Sequence, residues 1–272
     1  MRIAVLIKQV PAVDTVKINE TTGTMEREGV ESELNPMDLH ALEAAIRIKE
    51  SGGDVHVTAL TMGPAQARKI LSDAIAMGCD DAILLSDRKF AGADTLATAR
   101  VVAAGLRKLG AVDLVFAGER ATDGETGQVA PAVAEFLGMP ALTFVSGIAE
   151  LDKDTKEAKV ERAVENGHET LKSPLPAVFS VIKEINRPRL TTLGGKLRAK
   201  KVEIPVYDAS DLGLADDEIG LKGSPTRVSK VMYPKVTRTG RKFFFANDDA
   251  EAMGALKAFL ADKGFLAEEA VV

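Results

Sequence analysis

The amino-acid sequence predicts an α/β fold: a doubly wound, mainly parallel sheet of the adenine-nucleotide-binding, Rossmann-like kind, with an antiparallel hairpin extension and a C-terminal arm. Three observations predict it. Short apolar or β-branched runs alternate with helix-period segments through the first two thirds of the chain. Near residue 146 the pattern changes to closely spaced strand signals separated by turn residues. Beyond Pro188 the composition becomes polar and loses periodicity.

Residues 3–7, 55–61, 81–85, 114–117 and 177–182 are runs of the kind buried on both faces of a parallel sheet. Between them, residues 38–50 place Leu39, Leu42, Ala45, Ile46 and Lys49 at helical spacing, and Ser51-Gly52-Gly53 closes the helix. A second helix over 64–77 starts on Pro64 and stops at Gly78, and a third over 94–109 stops at Gly110. The crossovers between parallel strands should be right-handed. Residues 146–151, 158–164 and 168–173 read as the hairpin extension, with turns at 152–155 and at Asn166-Gly167.

These signals divide the chain into a nucleotide-binding domain over 1–187 and a C-terminal arm with its helix over 188–272. An amphipathic helix is expected from 248 to 263, whereas residues 208–241 carry too few periodic apolar positions to form a core of their own. Such an arm either lies on a partner or trails as a loosely ordered tail.

Residues 113–140 carry the clearest functional signal: an apolar run, a polar glycine-bearing turn over 118–127, and a helix over 128–137 with Val129, Val133 and Phe136 on one face. The first turn of a helix offers N–H groups without intrahelical partners, and glycines let the backbone approach an anion, so a phosphate or diphosphate is favoured there. The same spacing also suits an ordinary strand-to-helix connection capped by Asp123 and Thr126. The residues alone leave both readings open. Segments 6–8, 61–63 and 118–128 all follow predicted strand ends, so they should face one crevice beyond the carboxyl edge of the sheet.

Composition narrows the function classes. With 35 basic and 40 acidic residues the net charge is −5, and there are no tryptophans and two tyrosines, which argues against a nucleic-acid binder. One cysteine, Cys79, forbids an internal disulfide, and His40, His56 and His168 lack the spaced partners of a metal site. No apolar run approaches the length of a membrane span, and the N-terminus does not resemble a secretory signal, so the expected location is cytoplasmic. No nucleophile-and-base or paired-carboxylate arrangement stands out, so no catalytic side chain is assigned.

Several ordered motifs make the chain resemble the beta subunit of an electron transfer flavoprotein. They are Lys8-Gln9-Val10-Pro11, Asn35-Pro36-Met37-Asp38 leading into Ala41, Glu43 and Ala44, Met62-Gly63-Pro64-Ala65, Gly92-Ala93-Asp94-Thr95, Asp123-Gly124-Glu125-Thr126-Gly127-Gln128-Val129, and Arg187-Pro188-Arg189 followed by Leu193 and Ala199-Lys200-Lys201. Residues 160–180 are similar to the family's signature stretch, departing from it at Asn166 and Phe179.

The resemblance implies a heterodimer whose alpha subunit carries FAD and whose beta subunit binds a second adenine nucleotide. Respiratory members hold AMP there and read Asn-Gln-Thr where this chain has Gly127-Gln128-Val129. The glycine-bearing version resembles the electron-bifurcating branch, which implies FAD in the beta subunit, NADH as donor, and delivery both to the alpha-subunit FAD, onward to an acyl-CoA dehydrogenase, and to ferredoxin or flavodoxin. Carried over by position, Leu6 and Met62 would border the adenosine, and Asn35 and Asp38 would contact adenine or ribose, although both also suit capping of the helix that follows. Asp123, Gly124, Thr126, Gly127, Gln128 and Val129 would cradle the diphosphate, with Gly118 and Ala121 in the same turn and Thr95 as a further hydroxyl donor. Leu193 would dock a dehydrogenase. The alternatives are a respiratory-type subunit with structural AMP and, from another class, a stand-alone adenine-nucleotide sensor.

Overall fold

The computed structural model describes residues 1–12, 31–229 and 249–266. Contacts divide the chain into a large unit, Met1–Val231, and a smaller one, Met232–Val272. In the large unit the first half reads β1 (Arg2–Leu6), β2 (Gln9–Pro11), β3 (Ser32–Leu34), α1 (Pro36–Glu50), β4 (His56–Met62), α2 (Arg68–Met77), β5 (Asp81–Leu85), α3 (Thr95–Leu109) and β6 (Leu114–Gly118). The second half continues with α4 (Val129–Leu137), β7 (Ala141–Asp152), β8 (Glu157–Val164), β9 (Gly167–Pro174), β10 (Ala177–Val181), α5 (Leu193–Ala199) and β11 (Val206–Tyr207). The small unit contains α6 (Asp249–Asp262).

Among the described residues the main sheet has nine strands in the order β11-β5-β4-β1-β6-β10-β7-β8-β9. The strands from β11 to β7 pair in parallel, and β8 and β9 add the expected antiparallel extension. From β1 the chain winds outward through β4 and β5, then returns to β6 on the other side of β1. The order therefore reverses between β1 and β6, which is where such sheets form a ligand crevice.

Alternation along the central strands builds two cores. Val5, Phe116 and Phe179 face α1 and α2, packing with Leu42, Ile46, Ile70 and Ile75, while Leu6, Val115 and Val178 face α3 and α4 with Val101, Leu106 and Val133. Phe116 and Phe179 meet edge to face at 5.7 Å between centroids.

Two points differ from expectation. First, β7 begins at Ala141 rather than 146, because its early residues pair in parallel with β10 and only the later ones pair with β8; the period-2 signal shows only where one face is open. Second, the short antiparallel ribbon β2–β3 was not anticipated.

Residues 188–229 pack on this chain's own sheet. β11 extends the edge beside β5, Arg198 donates to the carbonyls of Ile75 and Cys79 at 2.5 Å, and Ala209 and Ile219 are buried. The Asp94 backbone N–H donates to Ser224 Oγ at 2.8 Å, and Thr226 donates to the Asp94 carboxylate. This stretch is held by irregular turns, so no helical or strand period marks it. The expected arm over 208–241 lies partly outside the described residues.

Candidate nucleotide site

The crevice is assembled by residues that tie the strand ends together. Asp38, in the first turn of α1, accepts from the backbone N–H of Lys8 at 2.8 Å and of Gly118 at 3.1 Å, joining the ends of β1 and β6 across the reversal point. Burial pushes the Asp38 carboxyl up to about 7, against the pull of Asn35, of those two N–H groups and of the Lys8 charge. Gly118 permits the approach: a Cβ there would stand 2.5 Å from Asp38 Oδ1 and 2.7 Å from the Met37 carbonyl carbon. Asn35 Nδ2 donates to the Arg120 carbonyl at 3.0 Å and its Oδ1 accepts from Thr122 N–H at 3.2 Å. Both side chains are thus engaged with this chain's backbone: they shape the turn.

The turn closes on itself through the Ala121 carbonyl, which accepts from Gly124 and Glu125 N–H groups. Gly127 has φ +63, the left-handed conformation that favours glycine, and Glu125 also has positive φ. Gln128 then caps α4 by position, and no side chain accepts from the first N–H groups of that helix. By contrast, Asp94 accepts from Leu96 and Ala97 N–H groups at the start of α3. Asp123, one of the two residues that could have capped α4, instead pairs with the Lys8 ammonium at 2.6 Å.

The consequence is a row of backbone donors that could hold an anion. The backbone N–H groups of residues 126–130 that exist as donors, Pro131 following them without one, have no protein partner among the described residues. The helix dipole adds about half a positive charge there. Lys8 offsets the Asp123 carboxylate, and Arg120 pairs with Glu119 in the same turn.

Other expected residues take more varied places. Leu6 is buried in the core at the end of β1, and Met62, at the end of β4, packs partly buried against the same cluster. Thr126 and Gln128 are exposed, while Val129 is half-buried at the head of α4. Thr95 begins α3, which follows β5, the neighbour of β4 in the sheet. Leu193 is 76% exposed at the start of α5 and has exposed neighbours Leu190 and Leu197.

Beside the turn, Met37, Arg120, Phe144, Ile182 and Lys183 line a cleft of about 300 Å³ together with Glu119 and Glu184. A larger depression of about 600 Å³ on the outer side of α3 and α4 contains none of the expected nucleotide residues. Among the described residues no group of three or more His, Cys, Asp and Glu could hold a metal ion, and no helix is long and apolar enough to cross a membrane.

The electron transfer flavoprotein domain model matches residues 22–212. The chain is 43% identical over 263 residues to the caffeyl-CoA reductase-Etf complex subunit CarD of Acetobacterium woodii, covering 97% of this chain and 99% of that protein. It is 45% identical over 240 residues to the electron transfer flavoprotein subunit beta of Clostridium acetobutylicum, covering 88% and 91%, and 41% identical over 265 residues to protein FixA of Azotobacter vinelandii, covering 96% and 94%.

The chain belongs to the electron transfer flavoprotein family. Its relatives include named beta subunits, and its role is electron transfer. In this electron transfer flavoprotein chain two features of the crevice escaped the sequence reading. Lys8 stands in a motif, but nothing local shows that it pairs with a residue more than a hundred positions away. Phe144 lies in a strand-like stretch whose bulge has no sequence mark.

Proposed function

We propose that this chain is the beta subunit of an electron transfer flavoprotein heterodimer of the bifurcating kind, holding FAD in the crevice between β1 and β6. The observation that carries the reading is the uncapped start of α4, with Gly127 in a left-handed conformation and Asp123 drawn to Lys8. Bound there, FAD would supply two-electron redox chemistry, with NADH as donor and, as acceptors, the FAD of the alpha subunit, leading on to an acyl-CoA dehydrogenase, and ferredoxin or flavodoxin. The name of the Acetobacterium relative, a caffeyl-CoA reductase-Etf complex subunit, supports a reductase of a CoA ester as partner.

The residues present suit a diphosphate. N–H groups of Gly127, Gln128, Val129 and Ala130 would hold its oxygens, and Gly124, Thr126 and Asp123 would shape the turn. Ala121 closes that turn, and Gly118, Asn35 and Asp38 fix its distance from the sheet. Leu6 and Met62 would border the adenosine, with Thr95 as a further hydroxyl donor. Leu193 would meet the dehydrogenase, as an exposed apolar anchor suits a docking contact. No side chain is needed as nucleophile or general base; the protein positions the cofactor and tunes its surroundings.

The substitution Gly127→Asn with Val129→Thr, which installs the Asn-Gln-Thr triplet, tests the reading. FAD affinity of the beta site should fall at least tenfold while AMP affinity holds or rises. Unchanged FAD affinity would show that the triplet does not select the ligand. Recovery of AMP from the wild-type site would instead favour a respiratory-type subunit.

A further inference from the structure

Resting on the FAD reading above, we infer that Phe144 is the surface against which the isoalloxazine end of the dinucleotide lies, and that it helps this crevice prefer a dinucleotide to a mononucleotide. Four observations converge. Strand order places β4, β1, β6, β10 and β7 side by side. With adenosine over the ends of β4 and β1 and the diphosphate at the turn after β6, the third portion of the ligand falls over β10 and β7. The cleft lined by Phe144, Arg120, Ile182 and Lys183 is at that place. Its volume is at the lower end of small-molecule sites, suited to one end of a dinucleotide.

The backbone at Phe144 is unusual in a way packing does not require. Leu142 pairs with Phe179 and Val145 with Val181, so Thr143 and Phe144 together oppose Ser180 alone: a β-bulge. Phe144 has φ +57, a conformation that glycine adopts without strain and a large side chain does not. Its neighbours Leu142 and Val145 are buried, whereas the Phe144 ring is 48% exposed. The bulge therefore turns an aromatic ring outward, beside the turn that would hold the diphosphate. Aliphatic Met37 and Ile182 flank it, as a flat ring system requires.

The charges in the cleft are consistent with a flavin. Arg120 pairs with Glu119 at 3.2 Å, and Glu184 is also in the lining. Lys183 makes no ion pair or side-chain hydrogen bond among the described residues, so the cleft holds a cation that can offset the negative charge of a reduced flavin.

The test uses the full heterodimer with the alpha-subunit FAD in place, comparing wild type, Phe144→Gly and Phe144→Tyr. Titration with FAD and separately with AMP gives beta-site affinities, and visible circular dichroism reports the ring environment. Phe144→Gly should weaken FAD roughly tenfold, the scale of one lost stacking contact, change the flavin dichroism, leave AMP affinity within twofold, and not lower the thermal midpoint of the AMP-loaded protein. Phe144→Tyr should retain FAD within threefold. Wild-type FAD affinity in Phe144→Gly, or equal losses for FAD and AMP, would overturn the proposal while leaving the FAD reading intact. A wild-type site that binds AMP but not FAD would overturn both.

Discussion

At the scale of single residues, the crevice is set by side chains whose work is on the backbone. Asp38 and Asn35, expected to touch adenine or ribose or to cap a helix, fasten residues 8, 118, 120 and 122. A sequence shows that a short amide or carboxylate precedes a helix, but its partners lie 30 to 87 positions away. Asp38 also gives a pH prediction. Its carboxyl ionises near the ordinary 3.8 when unfolded and near 7 when folded. Between these values the folded chain holds a proton that the unfolded chain has lost, so the stability Asp38 contributes is complete below about pH 4 and declines as pH rises through 7. Urea midpoints of wild type should therefore carry a falling component between pH 5 and 7.5 that is absent from Asp38→Asn. Parallel pH profiles would contradict this. Lys8→Met should weaken beta-site nucleotide binding about fivefold, by roughly 1 kcal/mol, because Asp123 then faces the phosphate unpaired; calorimetric titration reads the change directly.

At the scale of elements, the helices differ in how they start, and this difference carries function. Helix α3 is closed by Asp94, which also receives Thr226, whereas α4 has no side-chain cap. The spacing of Asp123 and Thr126 before α4 suits a cap as well as it suits a phosphate turn; the pairing of Asp123 with Lys8 removes Asp123 as the cap. Asp94→Ala should lower stability by about 1–2 kcal/mol, read as a reduced urea midpoint, without loss of nucleotide. Helix α5 makes the complementary case. A Cβ at Gly195 would stand 2.0 Å from the Ala76 carbonyl oxygen, so α5 lies on α2 backbone to backbone. Gly195→Ala should cost about 1–3 kcal/mol and raise amide exchange in residues 193–199, including the exposed Leu193. Wild-type exchange in the variant would show that the close approach is not needed.

At the scale of the whole molecule, the parallel order was legible because strands buried on both faces read as unbroken apolar runs and the helices between them keep a regular period. The hairpin extension was legible from its turns. The fate of residues 188–229 was not, since Ala209, Ile219, Ser224 and Thr226 join the sheet through turns that follow no repeat. The candidate site was legible as a segment but not as an assembly, because the reversal point between β1 and β6 gathers residues from four separate stretches.

The reading rests on a dinucleotide held at the start of α4. Heat release and chromatographic counting of nucleotides from the purified heterodimer tests it most directly. The expected result is two FAD per heterodimer and no AMP; one FAD with one AMP would contradict it.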